Sequence, residues 1–517
     1  MKDLIMSVDC GTQHLRVILF NFDGDAVEMA KKRYSPYFSK NPGWAEQDPN
    51  LYWENFKLCC DEIKERQPEL FKRIAAIAIT TQRDTMINLD ADGEPLRPAI
   101  VWLDQRKTSG LRERGILMKI SHKIVGMDEA VRILEKDSKM NWIRINQPDI
   151  WSKTAKYLQV SGFFNFKLTG KFVDSVSSQI GHIPFDYKHF RWADDKDIKS
   201  ILFFIEREKL PDIVEPGELI GNVTRKAFIE TGIPEGVPVI AAGSDKGCET
   251  LGMGCLNSDI ANISLGTTAT IQVMSKRYFE PVRFIPPYPA SIPHYYNPEV
   301  EIFRGYWMVG WFKDEFGISE VLEAERRGVP HEDVLNESMK DVKAGSMGLM
   351  VQPYWGSGIK MPEAKGSMIG FGDVHGRAHV YRAIIEGISY ALLEGMNKIE
   401  KRGKVKIKSL TISGGGASSD EICQITSDIF NLPIHRGTMN EASSLGAAID
   451  AAVGIKVYEN FDTAVKKMVR YGTEFDPNAE NAAIYRQLFE KVYLKIYPAL
   501  KPIYKRIMRI TNYPESQ

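Results

Sequence analysis

The chain has 517 residues, 43% of them apolar and 26% charged, with 67 basic residues against 67 acidic ones. That length exceeds what one hydrophobic core sustains, because cores stop growing near roughly 250–300 residues, so two domains are expected. The balanced charge excludes a global field that would gather nucleic acid or anionic membrane, and any anionic ligand must be caught locally.

An apolar run over residues 4–8 ends at Asp9, and Cys10-Gly11-Thr12 leads into a second run over residues 16–22 with a turn at Asp23-Gly24. This predicts strand, tight turn, strand. No signal-peptide segment precedes it and no apolar run reaches 18 residues, which places the expected location in the cytoplasm. Strands are expected over 74–80 and 99–102, and helices over 141–162 and in the stretch before Leu210. A buried strand over 238–242 runs into Gly243-Ser244-Asp245. The opening layout then returns: a run over 260–264, Leu265-Gly266-Thr267-Thr268, and a run over 269–274. Gly11 and Gly266 lie 255 residues apart, so one internal duplication accounts for both the length and the echo. Farther on come a long helical pattern over 379–401, a strand over 409–413 opening into Gly414-Gly415-Gly416, a helix capped at Ser419-Asp420, and a small-residue helix over 441–453. Alternating strands and helices make an α/β protein with a short hinge near 250–258. The six cysteines form no C-x-x-C pair and read as buried thiols rather than metal ligands or disulfides.

Several of these residues suit one chemistry. A glycine turn lets backbone N–H groups approach an anion and the adjacent threonine adds a hydroxyl, so each Gly-Thr turn is either a plain hairpin or half of a polyphosphate clamp. Asp9 suits a Mg²⁺ held through water. Arg16 either reaches a transferring phosphoryl group or stabilises its turn. The triple glycine lacks the G-x-G-x-x-G spacing, no G-x-x-x-x-G-K-[ST] occurs anywhere, and it reads best as a flat surface for an adenine ring. Asp245 ends a strand, where a carboxylate points into the ligand crevice of an α/β sheet. It is either the base that takes a hydroxyl proton or the cap of the following helix. Arg83-Asp84 either binds vicinal hydroxyls or forms a surface ion pair, and Trp102 either walls a sugar or belongs to the core.

Taken in order, these residues resemble the FGGY family of carbohydrate kinases along essentially the whole chain. Asp9-Cys10-Gly11-Thr12 through Arg16 is similar to the family's D-x-G-T-x-x-x-R, and Pro42-Gly43-Trp44-Ala45-Glu46-Gln47-Asp48-Pro49 to its P-G-W-x-E-Q-D-P. Lys139 through Trp142, Gly366 through Gly370, Gly414 through Ala417 and Glu441 through Ala448 resemble later family motifs. The resemblance implies two actin-like, ribonuclease-H-type domains with a nucleotide cleft between them: residues 1–254 for the polyol or sugar and the base, residues 255–517 for ATP. It implies Asp245 as base and Asp9 beside the metal. Thr12, Arg16, Gly266, Thr267 and Gly310 fall near the phosphates, and Gly415 and Gly416 near adenosine. Arg83, Asp84, Trp102, Asp245 and Lys246 are expected at the acceptor.

The expected reaction is transfer of the γ-phosphoryl of MgATP to a glycerol-, tetritol- or ketopentose-like hydroxyl by a homodimer or homotetramer, with no nucleic acid or membrane partner. Gln82-Arg83-Asp84 resembles the Q-R-E of glycerol kinases, but Asp84 is one methylene shorter. Thr270 stands where glycerol kinases wall their substrate with an aromatic ring, and Lys246 replaces the usual amide. These departures point to a larger or more polar acceptor than glycerol, with a xylulokinase, an aldonate kinase and a silent sugar- and ATP-binding sensor as alternatives.

Overall fold

Strand Leu4–Cys10 is buried along its whole length, as a continuous apolar run predicts for a strand covered on both faces. In the computed structural model, which describes residues 2–109, 128–355, 361 and 363–513, it is the centre of a six-stranded sheet. His14–Asn21 returns antiparallel beside it and Ala26–Arg33 follows antiparallel at the edge. On its other side Ile74–Thr81 and then Pro238–Ile240 run parallel, and Leu219–Asn222 closes the far edge antiparallel.

The second six-stranded sheet repeats most of this order. Ile260–Leu265 is central, with Ala269–Val273 and Glu299–Ile302 antiparallel on one side. Ser409–Ser413 and Ile434–Gly437 lie parallel on the other, and Tyr471–Phe475 closes the edge antiparallel. With the far antiparallel edge strand left out, the five remaining strands of each sheet share the order third, second, first, fourth, fifth, which is the duplicated actin-like arrangement. The antiparallel sixth differs: Leu219–Asn222 precedes its neighbour in the chain, whereas Tyr471–Phe475 follows its own.

The chain forms two compact units, each around its own apolar core. The first holds Met1–Gly254, Tyr288–Asn297 and Glu441–Val469; the second holds Cys255–Pro287, Pro298–Asn440 and Arg470–Gln517. The expected pair of continuous halves, 1–254 and 255–517, is thereby corrected. Helix Ala442–Gly454 packs on strands Leu4–Cys10 and Ile74–Thr81 and on helix Asp245–Gly252, all in the first unit. Its glycines explain how. A side chain at Gly446 would strike the Cys248 carbonyl, and one at Gly252 would strike the Ala442 carbonyl, so the two helix backbones touch.

The helix expected over 141–162 is also corrected. Lys139–Asn146 ends at Gln147, whose successor Pro148 opens a short new helix, Pro148–Lys153. Lys156–Gln159 is a strand paired with Met86–Leu89, and only at Val160–Thr169 does a helix resume. Among the described residues no helix is long and apolar enough to cross a membrane.

Candidate active site

The carboxyl ends of the first sheet's central strands carry Asp9, Gln82, Arg83 and Asp84. Asp9 is nearly buried and accepts from Arg16 Nη1 at 3.0 Å across the hairpin. Arg16 therefore braces Asp9 within the unit. Burial pushes the Asp9 carboxyl up; Arg16 opposes this, while the negative charges of Asp245 and Glu249 add to it. The Thr12 hydroxyl donates to Gln82 Oε1 at 3.0 Å and accepts from Trp102 Nε1 at 2.9 Å, and Gln47 Nε2 holds the Thr12 carbonyl at 2.9 Å. Its hydroxyl proton is thus committed within the unit, and Trp102 is an anchor of the first turn.

The residues after Trp102 are structural. Arg106 pairs with Asp104 and Glu46, lies 3.9 Å over the Trp44 ring, and is almost wholly buried, while Asp104 accepts the Ala45 N–H at 2.6 Å. Glu46 further pairs with Arg97 at 2.6 Å, so this motif locks the Trp44 loop to the small sheet of Glu46–Gln47, Ala99–Ile100, Met86–Leu89 and Lys156–Gln159.

Asp84 sits at φ 52°, in the left-handed region that aspartate tolerates better than most residues. Its Oδ2 accepts from Lys139 Nζ at 2.5 Å and faces His182 Nδ1 at 3.1 Å, and its Oδ1 accepts the His182 N–H at 3.2 Å. Burial would raise this carboxyl, but Lys139 and His182 outweigh burial and hold it well below the usual range. Both oxygens are engaged within the protein. Sequence reasoning named Asp84 but missed these partners: Lys139 lies in the K-x-x-W stretch without an assigned role, and nothing in the sequence marks His182.

Arg83 Nε lies 3.8 Å from Asp245 Oδ1, and its guanidinium stands over the Tyr288 ring at 5.4 Å. Asp245 is the first residue of helix Asp245–Gly252, and Ser244 is its cap, accepting the Gly247 N–H. The capping alternative for Asp245 is therefore removed. Its Oδ1 accepts the Lys246 N–H at 2.8 Å, its Oδ2 takes no hydrogen bond among the described residues, and its side chain is 32% exposed. Burial raises the carboxyl, and the charges of Arg83 and then Lys246 restrain it. Lys246 pairs with Glu249 at 2.8 Å one turn on, yet both side chains are largely buried.

In the second unit, strand Ile260–Leu265 ends at Gly266-Thr267, with Thr267 exposed and its carbonyl accepting the Trp307 N–H at 3.1 Å. Gly266 has no positive φ, and a Cβ there would make only ordinary van der Waals contact, with the Thr268 carbonyl at 3.7 Å. Gly310, on helix Trp307–Phe316, and Gly415 face open space. Gly416 differs, because its missing side chain makes room for the Tyr306 ring. Gly414, at φ 86°, packs on the Leu265 backbone, which brings the triple glycine beside the Gly-Thr turn. Thr270, expected at the acceptor, is wholly buried in strand Ala269–Val273.

Residues 4–252 match the N-terminal domain of the FGGY family of carbohydrate kinases, and residues 261–455 match its C-terminal domain. The uncharacterized sugar kinase YgcE of Escherichia coli is 31% identical over 94% of this chain and 91% of its own length. A xylulose kinase of Staphylococcus epidermidis is 29% identical over 99% of this chain and 100% of its own. The crystal structure of xylulose kinase from Rhodospirillum rubrum shares the fold, with a TM-score of 0.83 over 97% of this chain and 100% of that one at 23% identity. The chain belongs to the FGGY family of carbohydrate kinases and is a sugar or polyol kinase.

Proposed function

We propose that the enzyme transfers the γ-phosphoryl group of MgATP to a hydroxyl of a neutral polyol or ketose in the glycerol-to-ketopentose range, with Asp245 as general base. The observation that carries this is the state of Asp245: one oxygen fixed by Lys246 N–H and faced by Arg83, the other unclaimed among the described residues and open to a substrate hydroxyl. A base in that state accepts the proton as the phosphoryl group moves. Arg83 restrains the Asp245 carboxyl and keeps it available in its ionised form. The nucleotide falls to the second unit, where Gly266, Thr267, Gly310 and Gly415 present backbone with room beside it. Gly416 supports this surface indirectly through Tyr306.

The charge pattern favours a neutral acceptor. Arg83 faces Asp245, Lys246 pairs with Glu249 and Lys139 with Asp84, so the cluster's cations are matched by its own carboxylates. An aldonate would bring a further negative charge to a balanced site. Asp84 acts as the anchor of Lys139 and His182, with Trp102 bracing the wall through Thr12. Among the described residues no set of three or more His, Cys, Asp or Glu side chains forms a metal cage. Asp9, with Asp245 and Glu249 within electrostatic range, fits a Mg²⁺ that keeps its waters and its phosphate oxygens and needs one carboxylate from the protein. The magnesium would neutralise phosphate charge. A cytoplasmic enzyme with a small-molecule substrate is consistent with these features, and a homodimer or homotetramer belongs to the same proposal.

ADP release measured over a panel of polyols, ketoses and aldonates tests the acceptor class. Neutral acceptors should be turned over and aldonates should not; a clear preference for an aldonate overturns that part. Asp245→Asn, isosteric but unable to take the proton, should lower kcat by roughly 10²–10⁴-fold with KM for ATP unchanged. A variant keeping more than a tenth of the wild-type kcat would remove Asp245 from the mechanism.

A further inference from the structure

The first unit buries a carboxyl that phosphoryl transfer does not use. Asp450, on helix Ala442–Gly454, is fully inaccessible. Ser291 Oγ donates to its Oδ2 at 2.5 Å, and the Cys248 thiol lies 3.8 Å from the same oxygen. Burial drives this carboxyl well above the ordinary range, opposed only by hydrogen bonds from Ser291, Cys248 and the Gly243 backbone, with no cation contributing. With no cation beside it, what this buried acid gives its site beyond the bulk of a leucine is hydrogen bonds with fixed directions.

Those bonds converge on the turn that carries Asp245. Ser291 abuts Gly243 so closely that a Cβ there would stand 2.7 Å from its hydroxyl. The Cys248 thiol, one turn beyond Asp245 on the same helix, faces the Gly243 carbonyl at 3.4 Å and the Ser291 hydroxyl at 3.5 Å. From the opposite flank the Ser244 N–H donates to the Ser177 carbonyl at 3.1 Å, and Ser177 Oγ donates to the Ala290 carbonyl at 2.5 Å, beside Ser291. Three segments far apart in the chain, at Ser177, Ala290-Ser291 and Asp450, thus meet around one turn together with Cys248 of the adjoining helix, and Asp450 accepts from Ser291 and from Cys248.

We propose that Asp450 is a positioning residue: with Ser291 and Cys248 it fixes the Gly243-Ser244 turn and so sets where the Asp245 carboxylate stands. This rests on the reading of Asp245 as the base. A misplacement of about 1 Å at a reacting group costs on the order of a hundredfold in rate, so a polar clamp behind the base has a kinetic consequence that a volume-filling residue would lack.

The test compares Asp450→Asn, which keeps an acceptor oxygen for Ser291, with Asp450→Leu, which fills the space without one. The asparagine variant should hold kcat within about threefold. The leucine variant should lose about ten- to hundredfold in kcat with KM for ATP within about twofold. Because Asp450 acts through Asp245, adding Asp450→Leu to Asp245→Asn should produce no further loss. If Asp450→Leu does not fold, Ser291→Ala removes the donor and should lower kcat in the same direction at fixed ATP KM. A folded leucine or alanine variant with wild-type kcat overturns the proposal, as does a loss that simply adds to that of Asp245→Asn. Activity surviving in Asp245→Asn alone instead overturns the assignment of the base, a separate outcome read from a separate variant.

Discussion

Lys246 and Glu249 face each other one helical turn apart beside Asp245, and their charges bear on the protonation of the base. The family resemblance places Lys246 at the acceptor, next to the base. The structure contains the Glu249 pair, but holds it inside the unit. Replacing Lys246 by glutamine removes one of the two cations that restrain the raised Asp245 carboxyl and takes the facing cation away from Glu249. Both changes disfavour the ionised carboxylate, so Asp245 should titrate higher. Because the base works deprotonated, the acidic limb of kcat/KM should move to higher pH, by the same amount for every acceptor. An unmoved limb, or one displaced to lower pH, would separate Lys246 from the base. At this scale the sequence identified residues that stand in recognisable motifs, Asp9, Arg83 and Asp245 among them. It could not identify the partners that decide how they behave: Lys139 and His182 reach Asp84 from 55 and 98 residues away, and a pairing of that range leaves no local pattern.

Strands buried on both faces read clearly because a short, continuous apolar run bounded by turn residues suits a covered strand, and Ser409–Ser413 lies where the sequence puts it. Where the chain changes element within a few residues, periodicity fails. Lys156–Gln159 is a four-residue strand between helices, too short to imprint an alternation on the apolar positions around it. Glycines mislead in a different way. Gly266 stands where the sequence suggests the conformational requirement of a tight turn, yet it has no positive φ and a Cβ there would meet only an ordinary contact. Gly446 and Gly252, inside helices, are the ones where backbones meet. The two classes separate experimentally. Gly446→Ala should destabilise the protein by about 1–3 kcal/mol, the cost of overpacking a tight contact, or more if the helices must part. Gly266→Ala should change stability by no more than about 0.5 kcal/mol, as an accommodated surface substitution does. Urea denaturation followed by circular dichroism reads both. Equal losses would mean that room at the helix crossing is not what Gly446 provides.

Duplication was legible at the scale of the molecule because the Gly-Thr echo recurs at half the chain length, and the two sheets, their far antiparallel edge strands aside, do share one strand order. What the echo could not reveal is that the two units exchange chain. Helix Ala442–Gly454 follows Ile434–Gly437, a strand of the second sheet, yet it covers Leu4–Cys10 and Ile74–Thr81 in the first. Its small-residue composition announces close packing but not against which sheet. The helix is buried on nearly every face, as one apolar all round must be, and the strands beneath it owe part of their cover to it. A fragment of residues 1–254 therefore retains the base and all six strands of the first sheet while uncovering an apolar surface on the central strands. An uncovered apolar face of that kind drives association. The fragment should collect as aggregate, or persist without a cooperative unfolding transition. Supplying residues 441–469 through a flexible Gly/Ser linker should restore soluble protein with a sigmoidal melt. A fragment of 1–254 that alone unfolds cooperatively would show the first unit to be complete without the returning helix.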